Sequence, residues 1–168
     1  MSDKKRKNEK IIINTLCPYV DRESEILILG TMPGKKSRKD DFYYSDPRNR
    51  FWKVLAEIFG EPVPVTIEEK KDFLRRHHIA LWDVCNSCEI KGAADSTIKK
   101  EIPNDCLKCL IELLGIKRVF LNGDKARELY DKYVGSIPGV TVTPLHSTSG
   151  ANTGYSLPEL VEEWKAIL

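Results

Sequence analysis

A carboxamide flanked by two guanidiniums, Arg48-Asn49-Arg50, stands directly after Asp46-Pro47 and directly before the apolar run opened by Phe51-Trp52. Asp46 is a favoured helix cap and Pro47 suits a first helical position, so the spacing predicts a helix from Pro47 to Phe59 with Gly60 as its stop. That puts the three polar side chains in a first turn, where unpaired backbone N–H groups favour anions. Far along the chain, His146-Ser147-Thr148-Ser149 with Asn152 supplies the neutral donors that hold phosphate oxygens. Two C-x-x-C pairs, Cys85/Cys88 and Cys106/Cys109, have a separation compatible with a four-cysteine metal site. Anion recognition and metal binding are the two chemistries these residue types allow.

The metal reading meets local opposition. Cys106, Cys109, Leu110, Leu113 and Leu114 recur at the spacing of one helical face, which makes those cysteines small core side chains, and Cys85 lies at the end of a strand. We therefore expect free thiols, no metal and no cofactor.

Elements that could position the polar groups follow from periodicity. Short, branched apolar runs predict strands at Ile26 to Gly30, Ile79 to Val84, Lys117 to Leu121 and Val140 to Pro144. Thr66 and Glu69 form a capping box for a helix from Ile67 to Arg76. Further helices are predicted at Pro103 to Leu114, Asp124 to Tyr133 and Leu157 to Leu168, the last anchored by Leu160, Trp164 and Leu168. Ile11 to Ile13 reads as an edge strand or packing segment. Asn14 to Asp21 and Thr31 to Ser45 read as loops, and Asp83 to Ser96 as a loop or short helix. Strands alternating with helices imply three α/β/α layers around a mainly parallel four-stranded sheet. Ligands of such sheets bind at the carboxyl ends of strands, and Gly30 to Gly34, Asp83 to Cys88, Asn122 to Lys125 and His146 to Asn152 each follow one.

With 168 residues and a formal net charge of +2, the chain has the size of one domain and no global polycationic character. Residues 1–10 read as a flexible basic tail, and 11–168 as the domain. Lys35, Lys36, Arg38, Lys39, Arg48, Arg50 and Lys53 concentrate positive charge around the opening motif. No apolar stretch reaches the length of a membrane span and the first ten residues carry no apolar signal region, so we expect a cytoplasmic protein.

Gly30-Thr31-Met32-Pro33-Gly34 followed by Tyr43-Tyr44-Ser45-Asp46-Pro47-Arg48-Asn49-Arg50-Phe51-Trp52 resembles the first signature of the uracil-DNA glycosylase superfamily, most closely its hypoxanthine (deoxyinosine) branch. Leu81-Trp82-Asp83-Val84 with Ser87-Cys88, Leu121-Asn122-Gly123-Asp124-Lys125-Ala126 and Ser147-Thr148-Ser149-Gly150-Ala151-Asn152 continue the resemblance in order. It implies a monomeric, monofunctional DNA glycosylase acting on a deaminated base, hypoxanthine first, then uracil or xanthine, flipped out of DNA.

Under that resemblance Asn49 orients the attacking water or contacts the sugar, and His146 stands where a sister signature carries a histidine assisting the leaving base. Met32 occupies the position of a water-activating acid or amide, which a thioether cannot replace, so uracil excision should be weak. The base pocket would comprise the turn Gly30, Thr31, Met32, Pro33 and Gly34, the aromatics Tyr44 and Phe51, and Asp83, Ser87 and Asn122, with Asp95 and Ser96 nearby. Lys36, Arg48, Ser147, Thr148, Ser149 and Asn152 would hold DNA phosphates. Gly150 departs from the branch, which has proline there. Two other readings stay open: a catalytically weak DNA-binding relative, and a zinc-binding interaction module built on the cysteine pairs.

Overall fold

The computed structural model describes residues 10–90 and 98–168. Its strands are β1 (Lys10–Ile13), β2 (Ile26–Gly30), β3 (Ile79–Asp83), β4 (Cys85–Ile90), β5 (Lys99–Pro103), β6 (Arg118–Asn122) and β7 (Thr141–Leu145). Its helices are α1 (Lys35–Asp40), α2 (Phe51–Phe59), α3 (Ile67–Arg76), α4 (Leu107–Leu113), α5 (Asp124–Tyr133) and α6 (Leu157–Trp164). The tail expected at 1–10 lies outside the described residues except for Lys10, which pairs with Ile90 at the start of β1. Asp95 and Ser96 also lie outside them.

Four parallel strands in the order β3-β2-β6-β7 form a sheet flanked by helices. β2 and β3 are buried along their whole length, which is why they read as unbroken apolar runs. β7 lies at an edge and tolerates Pro144 there, because an edge strand need not donate on its outer side. The register sets Gly30 beside Asp83 and Asn122 beside Leu145, so the four strands end at one level. From β2 the chain leads to β3 on one side, and from β6 to β7 on the other. The β2–β6 boundary is therefore the point of reversal, where a doubly wound sheet opens a crevice.

A second sheet, absent from the sequence reading, has the antiparallel order β1-β4-β5. β4 continues from β3 after Val84, so Cys85–Ile90, within the stretch expected to be loop or short helix, is instead a strand with irregular register against β5; residues 91–96 of that stretch lie outside the described residues. Ile11 to Ile13 pairs with β4 and leaves Ile11 and Ile13 exposed, as is Ile102 of β5. The expected loop Thr31 to Ser45 contains α1, whose last carbonyls are closed by Asp41 in the left-handed region.

Other boundaries moved for local reasons. Asn49 N–H bonds to the Asp46 carbonyl at 2.9 Å, and Asp46 Oδ1 accepts from Arg48 N–H at 2.9 Å. Asp46 thus closes a turn and does not cap α2, which begins only at Phe51. α4 is shorter than expected because β5 runs through Pro103, and it buries Leu107 and Ile111. Cys106 and Cys109 are exposed and Leu113 is 80% exposed, so of the face expected from the sequence only Leu110 and Leu114 pack against the core. At the end of the chain Trp164 is buried as expected, whereas a 3-10 turn over Lys165–Ile167 leaves Leu168 exposed and lets Ile167 serve as the anchor. The capping box of Thr66 and Glu69 is present in full.

Candidate active site

Asn49 stands half-buried ahead of α2, and its Oδ1 accepts from the Phe51 N–H at 3.0 Å and from the Thr148 hydroxyl at 2.9 Å. Thr148 in turn meets Asn122, the last residue of β6. The Thr148 N–H donates to Asn122 Oδ1 and Asn122 Nδ2 donates to Thr148 Oγ1, both at 3.0 Å. Three polar side chains from the α2 entry, the β6 end and the loop after β7 therefore meet at the reversal point of the sheet. Thr148 is 0% exposed and its hydroxyl is bonded on both sides, so it braces the rim and is not the phosphate ligand expected.

Arg50 explains how the loop after β7 is held there. Its N–H donates to the Thr148 carbonyl at 2.9 Å, and its guanidinium reaches the carbonyls of Tyr155 at 2.5 Å, Asn152 at 2.7 Å and Ser149 at 3.3 Å. This clamp was missed. A cation at a helix N-terminus opposes the dipole, and that anomaly was the one signal that its partners are tertiary. Gly150 belongs to the same contact, since a Cβ there would stand 2.8 Å from the Arg48 carbonyl oxygen and 2.9 Å from Arg48 Cβ. The departure from proline accordingly accompanies a close backbone approach.

Within this loop Ser147 and Ser149 accept from the N–H groups of Ser149 and Ala151, each at 3.2 Å. Their hydroxyl protons remain available as donors. Asn152 differs, because its Nδ2 is bonded to the Ser147 carbonyl at 2.9 Å and its Oδ1 accepts from Gly154 at 3.3 Å. It serves as a loop brace. Arg48 and Lys36 are exposed and paired with Asp46 at 2.8 Å and Asp40 at 2.6 Å. Exposed pairs of this kind hold weakly in water, so both cations can exchange a carboxylate for a phosphate.

The other flank of the rim carries a buried acidic side chain. Asp83, 3% exposed, ends β3 and accepts from Asn14 Nδ2 at 3.2 Å, while its backbone carbonyl accepts from Asn104 Nδ2 at 2.8 Å. A Cβ at position 30 would lie 2.7 Å from Asp83 Oδ1 and 3.3 Å from the Tyr44 hydroxyl oxygen, so Gly30 makes room for a carboxylate and a phenol. Gly34 faces open space, and nothing in the structure requires glycine there. Thr31 and Pro33 are buried and Met32 is half-buried. Asn14 and Asn104 were not foreseen, since both sit in stretches read as a loop or as the start of a helix.

Tyr44 adopts a positive φ of 52° and stacks on Phe51 with ring centroids 3.8 Å apart. Phe51 is 0% exposed, with Trp52 and Trp164 against it edge-on. It therefore supports Tyr44 from beneath and offers no face of its own to a base, unlike the base-pocket place expected for it. Ser87 lies within β4, in register with Ile13 and Ile102 and beyond the rim.

His146 also departs from expectation. Its Nδ1 pairs with Glu163 of α6 at 2.8 Å, its N–H donates to the same carboxylate at 3.1 Å, and its ring stacks on Tyr155 at 3.8 Å. No hydrogen bond of His146 reaches the Asn49 cluster among the described residues. The imidazole joins the loop to α6, and the expected part in bond breaking has no geometric support.

The cysteine pairs do not gather. Cys85 and Cys88 are buried in β4, where burial pushes the Cys85 thiol up to about 12, while Cys106 and Cys109 face solvent from α4. Among the described residues no group of three or more His, Cys, Asp or Glu side chains is placed to hold a metal ion. No helix described is long and apolar enough to cross a membrane.

Comparison with known proteins points to one family. The family profile described as Uracil DNA glycosylase superfamily matches residues 17–168. A protein named hypoxanthine DNA glycosylase from Methanosarcina barkeri is 35% identical over 136 residues, which is 80% of this chain and 85% of the relative. A second of the same name from Methanosarcina acetivorans is 33% identical over 149 residues, covering 88% and 92%. The solution NMR structure of a Methanosarcina acetivorans protein, named as a candidate uracil DNA glycosylase, superposes with a TM-score of 0.77 at 31% identity, covering 94% of this chain and 99% of that one.

Proposed function

The chain belongs to the uracil-DNA glycosylase superfamily, and from that premise we propose that it hydrolyses the N-glycosidic bond of a deaminated base flipped out of DNA, with hypoxanthine as the preferred base. The observation that carries this reading is the meeting of Asn49, Thr148 and Asn122 at the reversal point of the sheet. The two relatives named for hypoxanthine support the choice of base.

Breaking the bond builds positive charge on the sugar and negative charge on the departing base. A rigid neutral donor beside a dry wall stabilises such a base better than mobile water does, because it needs no reorganisation. Asn49 supplies that donor, and Tyr44, backed by Phe51, offers a ring on which an unstacked base can lie. Arg48, Lys36, Ser147 and Ser149 hold the flanking phosphates. Water is the nucleophile. Lys125, the lysine nearest the end of β6 in sequence, pairs with Glu128 at 2.9 Å, and no amine is assigned a covalent step.

Oligonucleotides containing inosine, uracil or xanthine, incubated with excess protein, test this directly. The expected products are free hypoxanthine and an abasic site, with uracil released far more slowly because Met32 cannot activate water. No release of any base above background would overturn the reading, and faster release of uracil would overturn the preference.

A further inference from the structure

The hydrogen bonds around Thr148 have only one consistent direction. A backbone N–H can only donate, so the Phe51 N–H fixes the Asn49 atom 3.0 Å away as the carbonyl oxygen, and the Thr148 N–H fixes Oδ1 of Asn122 in the same way. Asn122 must then present its NH2 to Thr148 Oγ1. Since the Asn49 atom that faces it is a carbonyl oxygen, which can only accept, the Thr148 hydroxyl turns its single proton toward Asn49 Oδ1. Burial removes the alternative of a water rearranging the chain, since Thr148 is 0% and Asn122 7% exposed.

The consequence falls on Asn49. Its carbonyl oxygen accepts two hydrogen bonds from the protein, while its Nδ2 makes none among the described residues and the residue remains half-exposed. Rotating the amide by 180° would set Nδ2 against the Phe51 N–H, donor against donor, and would leave the buried Thr148 hydroxyl proton without its acceptor. The side chain is thereby held as a donor. An amide that activates water must accept a proton-bearing O–H through its oxygen, and here that oxygen is occupied.

We propose that Thr148 is a positioning residue which, driven by Asn122, locks the Asn49 amide with Nδ2 outward, so that Asn49 donates to the charge developing on the leaving base instead of activating the attacking water. The proposal rests on the glycosylase reading and specifies how its central residue works. It also assigns Thr148 a task distinct from the phosphate-binding serines on either side of it, because its hydroxyl faces inward and theirs keep a free proton.

Single-turnover excision of hypoxanthine by Thr148→Val, Thr148→Ser and Asn122→Asp tests it, with DNA affinity measured alongside. Loss of alignment by Thr148→Val should slow excision on the order of 10²-fold while leaving affinity for DNA unchanged. Thr148→Ser keeps the hydroxyl and should restore most of the rate. Asn122→Asp keeps the shape but draws the hydroxyl proton toward the new carboxylate, so it should slow excision as Thr148→Val does.

Two readouts separate positioning from mere folding. The penalty of Thr148→Val should shrink for substrates whose departing base is a more stable anion, because a donor to that base then matters less. In 15N-labelled protein the two Asn49 Nδ2 protons should resonate away from the positions of a free asparagine side chain, and should shift toward those positions in Thr148→Val as the carboxamide turns about its Cβ–Cγ bond. An equal penalty for every leaving base, or an unchanged Asn49 resonance pair in a folded Thr148→Val, would overturn the proposal. Absence of excision by the unaltered protein would instead defeat the proposed function, and the resonance pair would still test the lock.

Discussion

The two flanks of the rim are built from opposite materials. On the β6–β7 side, Asn122, Thr148 and Asn49 form a neutral chain in which most polar atoms have a partner, and Arg50 clamps the loop behind it through three carbonyls. On the β3 side a buried carboxylate, Asp83, lies against Gly30 and Tyr44 and is held by Asn14. Neutral amides can be locked in one orientation at little desolvation cost, whereas a buried carboxyl answers strongly to the donors and acceptors set beside it. Under the proposed function, the first flank would fix the alignment of the chemistry and the second would discriminate among bases.

The largest expected effect comes from the end of the neutral chain. Asn49→Ala should slow single-turnover excision of hypoxanthine by about 10²–10³-fold, the range for losing one aligned donor. A loss under tenfold would place the chemistry elsewhere and collapse the contrast. Asp83→Asn, on the other flank, should change the ratio of hypoxanthine to xanthine release more than it changes the rate for hypoxanthine. An unchanged ratio would deny the acidic flank its part in discrimination.

Stability should respond next. Arg50→Ala removes hydrogen bonds from a charged donor and should cost about 1.5–3 kcal/mol in urea unfolding, with faster amide exchange across residues 147–155. Gly150→Ala and Gly30→Ala compare the flanks sterically, since both put a Cβ under 3 Å from existing atoms. Overpacking of this kind typically costs about 1–3 kcal/mol. At Gly150 the obstacle is backbone, which cannot turn aside; at Gly30 it is the Asp83 side chain. Gly150→Ala should therefore lower the melting temperature more, and Gly30→Ala should disturb base preference more.

The smallest effect is at the turn that leads into the neutral flank. The hydrogen bond from the Arg48 guanidinium holds the Asp46 carboxyl below its usual 3.8, at about 2. The folded value lies below the unfolded one, so the contribution to stability is complete above the ordinary carboxylate range and fades as pH falls through about 2. NMR titration should find the Asp46 midpoint near the lower value, and stability near neutral pH should not depend on this group. A midpoint at 3.8 would mean that the ion pair does not persist in solution.

How much of this was legible before the structure depends on whether a residue's role is local. β2, β3 and β6 are buried on both faces and so announce themselves as apolar runs. β4 and β5 escape notice because their register is irregular and Cys85-Asn86-Ser87-Cys88 does not alternate cleanly between apolar and polar. α4 is apolar on most sides, so periodicity could not choose between the face of Cys106 and that of Leu107. In the site, Asn49 was visible from its motif, but Ser147, Thr148 and Ser149 are chemically alike in sequence. Only the register of their loop against Asn122 turns Thr148 inward. The partners of His146 and Asn152, Glu163 and the Ser147 carbonyl, were hidden for the same reason, since they depend on how the loop folds back.

The most direct measurement is a crystal structure of the protein bound to duplex DNA carrying 2′-fluoro-2′-deoxyinosine, which resists cleavage. The account predicts the nucleotide flipped into the rim, its base over Tyr44, Asn49 Nδ2 at about 3 Å from an acceptor atom of that base, and Thr148 still bonded to Asn49 Oδ1. An inosine left in the duplex stack, or bound with Asn49 turned so that its oxygen faces the nucleotide, would contradict it.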